Sequence, residues 1–395
     1  MIYLDNAATS FPKPESVYLE IDRCLRTYCA NPGRSGHSMA IEAGRAVIEA
    51  RDVVCSFFNI KNPMQLCFLK NATEALNTAI KGWLKPGDHV ITTCMEHNSV
   101  MRPLRTLERD IGIKLSIVPG NEIGEIGPDT VKKRIKSNTR LIVSTLSSNV
   151  NGVIMPFREM GMLAREAGVP FLMDASQGAG YIKVDVEEQC IDMLAFPGHK
   201  GLLGPQGTGG LYVKEGIALR SLMEGGTGSN SEYPYQPEIM PDLMESGTLN
   251  TAGIVGLCTG VRYIMSCGLE AAGRHRGMLT KRLVEGLQGI SGVRLYSVAD
   301  RSRNSGIAAM NLSGMDSTEL SYILDKEYGI ATRAGLHCAP SAHRTLGTEK
   351  TGIVRMSIGC FNTAEEIDLT LEAVQAVSKK YFRRKTLFTN PRIII

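Results

Sequence analysis

The sequence lacks the features that mark several protein classes. Its ten cysteines form no CxxC pair and no Cys/His cluster at zinc-ligand spacing, so we predict neither a metal site nor a disulfide framework. No apolar run reaches the roughly 18 residues of a membrane-spanning helix. Asp5 stands where a signal peptide would be basic and then apolar. We therefore expect a cytoplasmic protein.

The sequence also has no large excess of positive or negative charge. The 395 residues include 44 Lys and Arg against 40 Asp and Glu, a net charge of +4. So small a surplus does not predict binding to nucleic acid or to an anionic membrane, and it favours a small-molecule partner. Hydrophobic residues make up 43% and charged residues 21%, which is typical of a globular protein. The length predicts two or three domains.

Short apolar runs alternate with amphipathic helical patterns between residues 65 and 213. Such alternation predicts βαβ units and a mostly parallel, doubly wound sheet, so the fold class is α/β. The predicted strands are 66–69, 89–93, 114–118, 141–145, 170–174, 192–196 and 210–213. The predicted helices between them are 73–83, 100–110 and 157–167.

The rest of the chain predicts a second, smaller domain. Residues 216–259 are rich in Gly, Ser and Pro and are predicted to form a long loop that serves a site. Helices at 268–290, 317–328 and 364–382 then alternate with strands at 293–296, 306–312 and 352–358, an α+β pattern. We predict a large domain of residues 16–259 and a small domain formed by residues 1–15 and 260–395.

Two charged residues follow predicted strands, where ligands bind in open α/β sheets. Asp174 closes one strand, and Lys200 comes after a later strand, before a glycine-rich stretch. Alone, Asp174 could be a helix cap and Lys200 a solvated lysine. Together they supply the amine for a Schiff base and the anion for a pyridinium nitrogen that pyridoxal 5'-phosphate requires.

A phosphate group would need a cradle, and the segment around Thr73 predicts one. Ala72 and Thr73 lie where a strand turns into a helix, so free backbone N–H groups and a hydroxyl could face an anion. A plain helix cap is the alternative. His97 also follows a strand, and its ring could stack on a cofactor, although a lone histidine is more often structural.

The second domain contributes a thiol and an arginine. Cys338 stands beside His337 and near Arg333 in a loop with Gly and Pro, an electropositive setting that makes a cysteine reactive. Arg355 lies in an apolar strand, where a buried guanidinium needs an anion. That anion is either a substrate carboxylate or an internal Asp or Glu.

In combination these motifs resemble the class V aminotransferase superfamily, and within it the cysteine desulfurase and selenocysteine lyase family. The resemblance runs nearly end to end. It rests on Tyr3-Leu-Asp5-Asn6, Asn71-Ala-Thr73-Glu74, Glu96-His97, Ser148-Asn149, Asp174-Ala-Ser-Gln177, Gly198-His199-Lys200, Glu245-Ser-Gly-Thr248, Arg333-Ala-Gly-Leu-His337-Cys338 and Arg355-Met-Ser357. The family implies the aspartate aminotransferase-like fold of pyridoxal phosphate enzymes, fold type I.

The resemblance also implies a role for each matching residue. Lys200 would carry the cofactor as a Schiff base, and Cys338 would be the nucleophile that becomes a persulfide. The other assignments are Asp174 to the pyridinium nitrogen, Gln177 to the ring oxygen, His97 to the ring face, Ala72, Thr73 and His199 to the phosphate, Asn149 to cofactor and substrate, and Arg355 to the substrate carboxylate.

The family implies conversion of L-cysteine to L-alanine, sulfur mobilisation for a protein acceptor, a link to iron–sulfur cluster assembly, and a homodimer. In such dimers a loop reaches the partner's phosphate, and Thr248 is favoured over Thr227 for this role. One departure is Pro197, where the family usually has a serine that contacts phosphate. Selenocysteine lyase, another class V aminotransferase-type enzyme and a non-enzymatic regulator on the same fold stay open as alternatives.

Overall fold

The computed structural model describes residues 1–33 and 35–389. Its strands are β1 (Ile2–Tyr3), β2 (Leu66–Leu69), β3 (His89–Thr93), β4 (Lys114–Val118), β5 (Thr139–Thr145), β6 (Phe171–Asp174), β7 (Met193–Pro197), β8 (Gly209–Val213), β9 (Val293–Leu295), β10 (Ile307–Leu312), β11 (Ile330–Ala331) and β12 (Val354–Ser357). Its α-helices are α1 (Glu15–Thr27), α2 (Ser38–Phe58), α3 (Ala72–Trp83), α4 (Asn98–Ile111), α5 (Pro128–Lys132), α6 (Phe157–Glu166), α7 (Thr251–Cys267), α8 (Leu269–Gln288), α9 (Ser317–Tyr328), α10 (Pro340–Thr345) and α11 (Ala364–Thr389).

A seven-stranded sheet forms the centre of the larger part of the molecule. Its strand order is β2-β8-β7-β6-β5-β3-β4, and only β8 runs against the other strands. The strands β3, β6, β7 and β8 are buried at every residue, because separate hydrophobic clusters cover both faces of the sheet. Burial on both faces explains why these strands have continuous apolar sequences rather than alternating ones.

A second, antiparallel sheet has the order β12-β10-β9 and belongs to a separate hydrophobic cluster with α8, α9 and α11. The start of the chain joins this part, since β1 pairs in parallel with β11 and Leu4 is in the same cluster. Asp5 then forms an isolated bridge with Ser357, at the end of β12. The first residues are therefore positioned by residues more than 300 positions later.

The predicted strands of the large sheet all form, and most bounds agree within two residues. The prediction that 216–259 is a loop is wrong for its last nine residues, because α7 begins at Thr251. The side chain of Asn250 caps this helix by accepting a bond from Gly253 N–H at 3.0 Å. Residues 251–258 of α7 are buried at every position, so this part of the helix shows no one-sided apolar pattern in the sequence. The predicted domain boundary at 259/260 falls inside α7, and the division stays a prediction.

The helices α1 and α2, which pack against α7, were not predicted. Among the described residues no single helix is long and apolar enough to cross a membrane. The pair α7 and α8, bent by 82°, meets that test by length and composition only.

Candidate active site

The carboxyl ends of neighbouring parallel strands bring three of the predicted residues together. Asp174 ends β6, Lys200 follows β7 by three residues, and His97 follows β3 by four. The charges of Asp174 and Lys200 act on one another and on His97, so the three groups share one site. Asp174 is 1% exposed, and its Oδ1 accepts a bond from Ser176 N–H at 2.9 Å. Asp174 therefore orders the turn after β6 and also supplies the site with a carboxylate.

Burial is the main reason that the pKa of Lys200 is lowered to about 8; the positive charge of Arg355 adds to the effect, and Asp174 opposes it. The uncharged fraction of the amine near neutral pH is therefore much larger than for an ordinary lysine. Its backbone is held by the N-terminal segment. The carbonyl oxygen of His199 accepts bonds from Lys13 Nζ at 2.8 Å and Ser10 N–H at 3.0 Å, and Ser10 Oγ donates to the Lys200 carbonyl at 2.8 Å.

The ring of His97 is fixed in one tautomer. Its Nδ1 accepts a bond from Ser99 N–H at 3.1 Å, so in the neutral ring the proton is on Nε2. Burial and, to a smaller extent, the charge of Lys200 lower the pKa of His97 to about 4, so the ring is neutral near pH 7. Ser99 Oγ lies 2.8 Å from both His97 Nδ1 and Thr73 Oγ1. Ser99 thereby connects the predicted ring-face histidine to the predicted phosphate cradle.

The start of α3 has the geometry of an anion site. Asn71 caps the helix by accepting a bond from Glu74 N–H at 2.9 Å. The backbone N–H groups of Ala72 and Thr73 have no acceptor within the helix, as in the first turn of any α-helix. His199 Nδ1 is buried without a hydrogen-bond partner in the part of the chain that the structure describes. Burial lowers the pKa of His199 to about 4.

Two amides hold segments of the site together. Gln177 Nε2 donates to the carbonyl oxygen of Ala7 at 2.8 Å, and Asn149 Nδ2 donates to the carbonyl oxygen of His337 at 2.7 Å. Gln177 therefore connects the turn after β6 to the N-terminal segment. Asn149 connects the turn after β5 to the cysteine loop, residues 333–340, which contains Cys338.

Arg355 is buried and has an internal acidic partner. Its Nη2 lies 2.7 Å from Asp5 Oδ1, and its Nη1 donates to the carbonyl oxygen of Asn149 at 2.8 Å. This ion pair is one of the two alternatives that the sequence left open. The Nε–H group has no partner among the described residues, so part of the guanidinium is available to a second carboxylate.

The cysteine loop lies against the turn that follows β3. Cys338 is exposed, and its carbonyl oxygen accepts a bond from Asn98 N–H at 2.8 Å. His337 and Cys338 have φ angles of 50° and 55°, a left-handed conformation that is uncommon for residues other than glycine. The bond from Asn98 places this strained pair close to His97, although His97 and His337 are 240 residues apart in sequence.

Thr248 is exposed on the loop before α7. It lines a cavity of about 160 Å³ together with Lys70 and Glu74, which lie at the start of α3. Thr227 bonds weakly to Ser229 within its own loop, at 3.4 Å. Pro197 ends β7 and contributes no hydroxyl group.

Several residues of the site were missed or undervalued in the sequence. Ser99, Ser10 and Lys13 received no role, and Asp5 was noted only as part of a motif. Ser99 lies inside the first turn of α4, where His97 is the capping residue, so its position carries no capping signal of its own. The contacts of Ser10 and Lys13 with His199 have no local signal.

The residues present fit pyridoxal phosphate. Lys200 offers an amine with a lowered pKa, Asp174 a buried carboxylate, the start of α3 free N–H groups, and His199 an unpaired ring nitrogen that can donate in its Nδ1–H tautomer. This site, at the carboxyl ends of a doubly wound sheet with a smaller α+β part beside it, defines the fold type I class of α/β enzymes.

Comparison with known proteins identifies the family. The model of the family "Aminotransferase class-V" matches residues 2–370, and the chain belongs to this family. A probable cysteine desulfurase of Methanothermobacter thermautotrophicus is 36% identical over 384 residues, which cover 95% of this chain and 94% of that protein. A probable cysteine desulfurase of Pyrococcus abyssi is 33% identical over 387 residues, 96% of this chain and 94% of that protein.

Solved structures of cysteine desulfurases also resemble this chain closely. The apo structure of a cysteine desulfurase from Thermococcus onnurineus superposes with a TM-score of 0.90 at 33% identity, covering 96% of this chain and 95% of that one. A cysteine desulfurase of Escherichia coli superposes with a TM-score of 0.86 at 27% identity, covering 95% and 94%. The predicted family and the predicted fold type I architecture are confirmed.

Proposed function

We propose that this enzyme is a pyridoxal phosphate-dependent cysteine desulfurase that converts L-cysteine to L-alanine and keeps the sulfur as a persulfide on Cys338. The observation that carries the proposal is the 2.8 Å bond from Asn98 N–H to the Cys338 carbonyl oxygen. It holds an exposed thiol loop beside His97 and hence beside Lys200. A transaminase would have no use for a cysteine in this place, whereas a desulfurase needs one.

The chain's residues would hold the cofactor as the family implies. Lys200 would bind it covalently, Asp174 would face the ring nitrogen, and His97 would lie on the ring face. When bound, the cofactor withdraws electrons from the substrate Cα. The neutral state of His97 suits this position, because a second positive charge beside the ring would oppose protonation of the ring nitrogen.

The remaining groups would hold the phosphate, the ring oxygen and the substrate. Ala72, Thr73 and His199 supply donors for the phosphate, and Gln177 lies at the turn after β6 for the ring oxygen. The free Nε–H of Arg355 would bind the substrate α-carboxylate, and Asn149 lies between Arg355 and the cysteine loop.

The chemistry then falls to two side chains. Lys200, once free as an amine with a pKa of about 8, can take the proton from Cα and return it. The Cys338 thiolate attacks the substrate sulfur, the C–S bond breaks, and the sulfur stays on Cys338 while alanine leaves.

A direct test is to incubate the purified protein separately with L-cysteine and L-selenocysteine and to measure alanine, sulfide and selenide. The proposal predicts alanine from L-cysteine, dependent on Cys338. Activity on L-selenocysteine alone would instead support a selenocysteine lyase. Alanine formation from neither substrate would point to another class V aminotransferase-type activity or to a regulator.

The broader setting belongs to the same proposal. We infer a homodimer in which Thr248 reaches the partner's phosphate, a cytoplasmic location, and transfer of sulfur to an acceptor protein, for uses that include iron–sulfur cluster assembly. Thr248 is suited to this role because it is exposed and lies beside the start of α3. Analytical ultracentrifugation tests whether the protein is a dimer. The Thr248→Ala variant should retain the cofactor less well but should still form the dimer.

A further inference from the structure

Two buried histidines lie at the cysteine loop, one within it and one shortly after it in the chain. His337 is 3% exposed and His343, in α10, is 0% exposed. Their rings are within 10° of parallel, with centroids 5.6 Å apart, and His337 Nδ1 lies 3.4 Å from His343 Nε2. His343 Nδ1 lies 2.8 Å from Thr348 Oγ1. The three side chains therefore form a continuous chain of hydrogen bonds.

One backbone carbonyl fixes the direction of every bond in this chain. His337 Nε2 lies 3.3 Å from the carbonyl oxygen of Arg333, which can only accept, so the proton of His337 is on Nε2. His337 Nδ1 must then accept, so His343 donates from Nε2. His343 Nδ1 accepts in turn, and the hydroxyl of Thr348 donates to it.

Both rings are uncharged near neutral pH, as this arrangement requires. Burial and, to a smaller extent, the positive charge of Arg355 lower the pKa of His337 to about 2. Burial is the main cause that lowers the pKa of His343 to about 4, and the Thr348 backbone opposes this shift. A charged ring would need two acceptors, and the chain of bonds offers each ring only one.

The chain of bonds ends at the strained backbone of the cysteine loop. Consecutive left-handed residues such as His337 and Cys338 persist only where the surroundings hold them. The carbonyl oxygens of both residues are held from the large sheet, by Asn149 and Asn98. The side chain of His337 supplies the restraint from the opposite side.

We propose that His343 and Thr348 are positioning residues, which fix the tautomer of His337 and thereby hold the cysteine loop in its reactive conformation. Neither residue reaches the substrate or the reacting atoms. The inference rests on the proposed role of Cys338 as the nucleophile. The carbonyl of Arg333 also accepts a bond from Arg355 N–H at 2.8 Å, so the same chain ties the loop to the strand of the predicted substrate-binding arginine.

The test compares three threonine variants of the holoenzyme. Thr348→Val removes the donor while keeping the shape, and Thr348→Ser keeps the donor. Thr370→Val is the matched control, because Thr370 is equally buried and bonds a backbone carbonyl in α11, away from the loop. We expect Thr348→Val to lower kcat for alanine release about tenfold, the effect of one lost buried hydrogen bond, and to leave KM within about twofold. Thr348→Ser and Thr370→Val should keep kcat near the wild-type value.

A second readout does not depend on turnover. Long-range ¹H–¹⁵N spectra of protein labelled at histidine report which ring nitrogen carries the proton. Wild type should show a protonated Nε2 on both His337 and His343, and Thr348→Val should lose this single tautomer. If Thr348→Val does not fold, His343→Phe fills the same space, removes the bond to His337 and should lower kcat by a similar factor.

Two results would overturn the inference: a wild-type His337 protonated on Nδ1, or a Thr348→Val variant with unchanged tautomers and wild-type kcat. The spectra separate this outcome from failure of the proposed function. If the wild type released no alanine from L-cysteine, the desulfurase assignment would fail, whereas the tautomers would still test the chain of bonds.

Discussion

Arg355 and Asp5 form an ion pair in the site, with Arg355 Nη2 2.7 Å from Asp5 Oδ1, although 350 residues separate them in sequence. Asp5 keeps the buried guanidinium neutralised, since an unpaired buried charge is costly. Asp5 engages only one nitrogen and Nε–H is unpaired, so in the proposed function a substrate carboxylate would bind Arg355 without removing Asp5.

The first prediction concerns Arg355→Lys. A lysine keeps the charge for Asp5 but lacks the planar fork that binds a carboxylate through two bonds. We expect KM for L-cysteine to rise about tenfold or more, with cofactor content and melting temperature near normal. A large drop in melting temperature with unchanged KM would mean that Arg355 serves only Asp5. Asp5→Asn, which breaks the ion pair and keeps Arg355, is the companion variant for stability.

The second prediction is that the isolated protein is yellow and that borohydride fixes the cofactor on Lys200. Reduction turns a Schiff base into a stable amine, so peptide mapping by mass spectrometry locates the attachment. Lys13, whose Nζ lies 2.8 Å from the His199 carbonyl oxygen, is the neighbouring lysine that serves as the internal comparison. An adduct on Lys13 or any other lysine would refute the assignment.

The third prediction is that Asp174→Ala lowers kcat by orders of magnitude while the fold stays intact. In the proposed function the buried carboxylate would keep the ring nitrogen of the cofactor protonated, and alanine cannot supply that charge. Asp316→Ala is the matched control, because Asp316 caps α9 by accepting from Thr318 N–H at 2.8 Å. If both variants kept activity within about threefold, Asp174 would only cap its turn, as Asp316 does, and would have no role toward the cofactor.

The fourth prediction separates cofactor binding from sulfur transfer. Cys338→Ser should abolish alanine release from L-cysteine, because no thiolate accepts the sulfur, yet the absorbance change on adding L-cysteine should persist. Cys267→Ser, which removes another exposed thiol, should be fully active. Undiminished alanine release by Cys338→Ser would exclude Cys338 from the reaction. Activity retained on L-selenocysteine alone would favour the lyase.

The fifth prediction uses Glu96, which is fully buried beside the site. Burial, helped by the charge of Asp174, raises its pKa to about 8, and hydrogen bonds from Thr93 and Thr145 oppose the shift. The folded state keeps the proton that the unfolded state releases above its usual pKa, so stability falls as pH rises from about 5 to 8. Glu96→Gln cannot lose a proton.

The measurement is the melting temperature of both proteins across that pH range. The value for Glu96→Gln minus that for wild type should become steadily more positive from pH 5 to pH 8. A difference that did not change with pH would show that Glu96 titrates alike in the folded and unfolded states.

The central sheet and the first groups of the site could be predicted from the sequence, because their signals are local. A strand buried on both faces requires a continuous apolar run, and the residues after such runs, Asp174, Lys200 and His97, necessarily meet at one edge of a parallel sheet. The exposed cysteine loop was predictable for a similar reason, since Gly335 and Pro340 mark a turn.

The tertiary structure alone decided which groups restrain these residues. The partner of Arg355 is Asp5, the backbone of Lys200 is held by Ser10, and the ring of His337 is bonded to His343. A hydrogen bond or ion pair depends on distance in space, and segments far apart in sequence carry no pattern that announces their contact. The start of α7 was mistaken for a loop for a different reason. Residues 251–258 are buried at every position, so this stretch lacks the one-sided period by which a sequence reveals a helix.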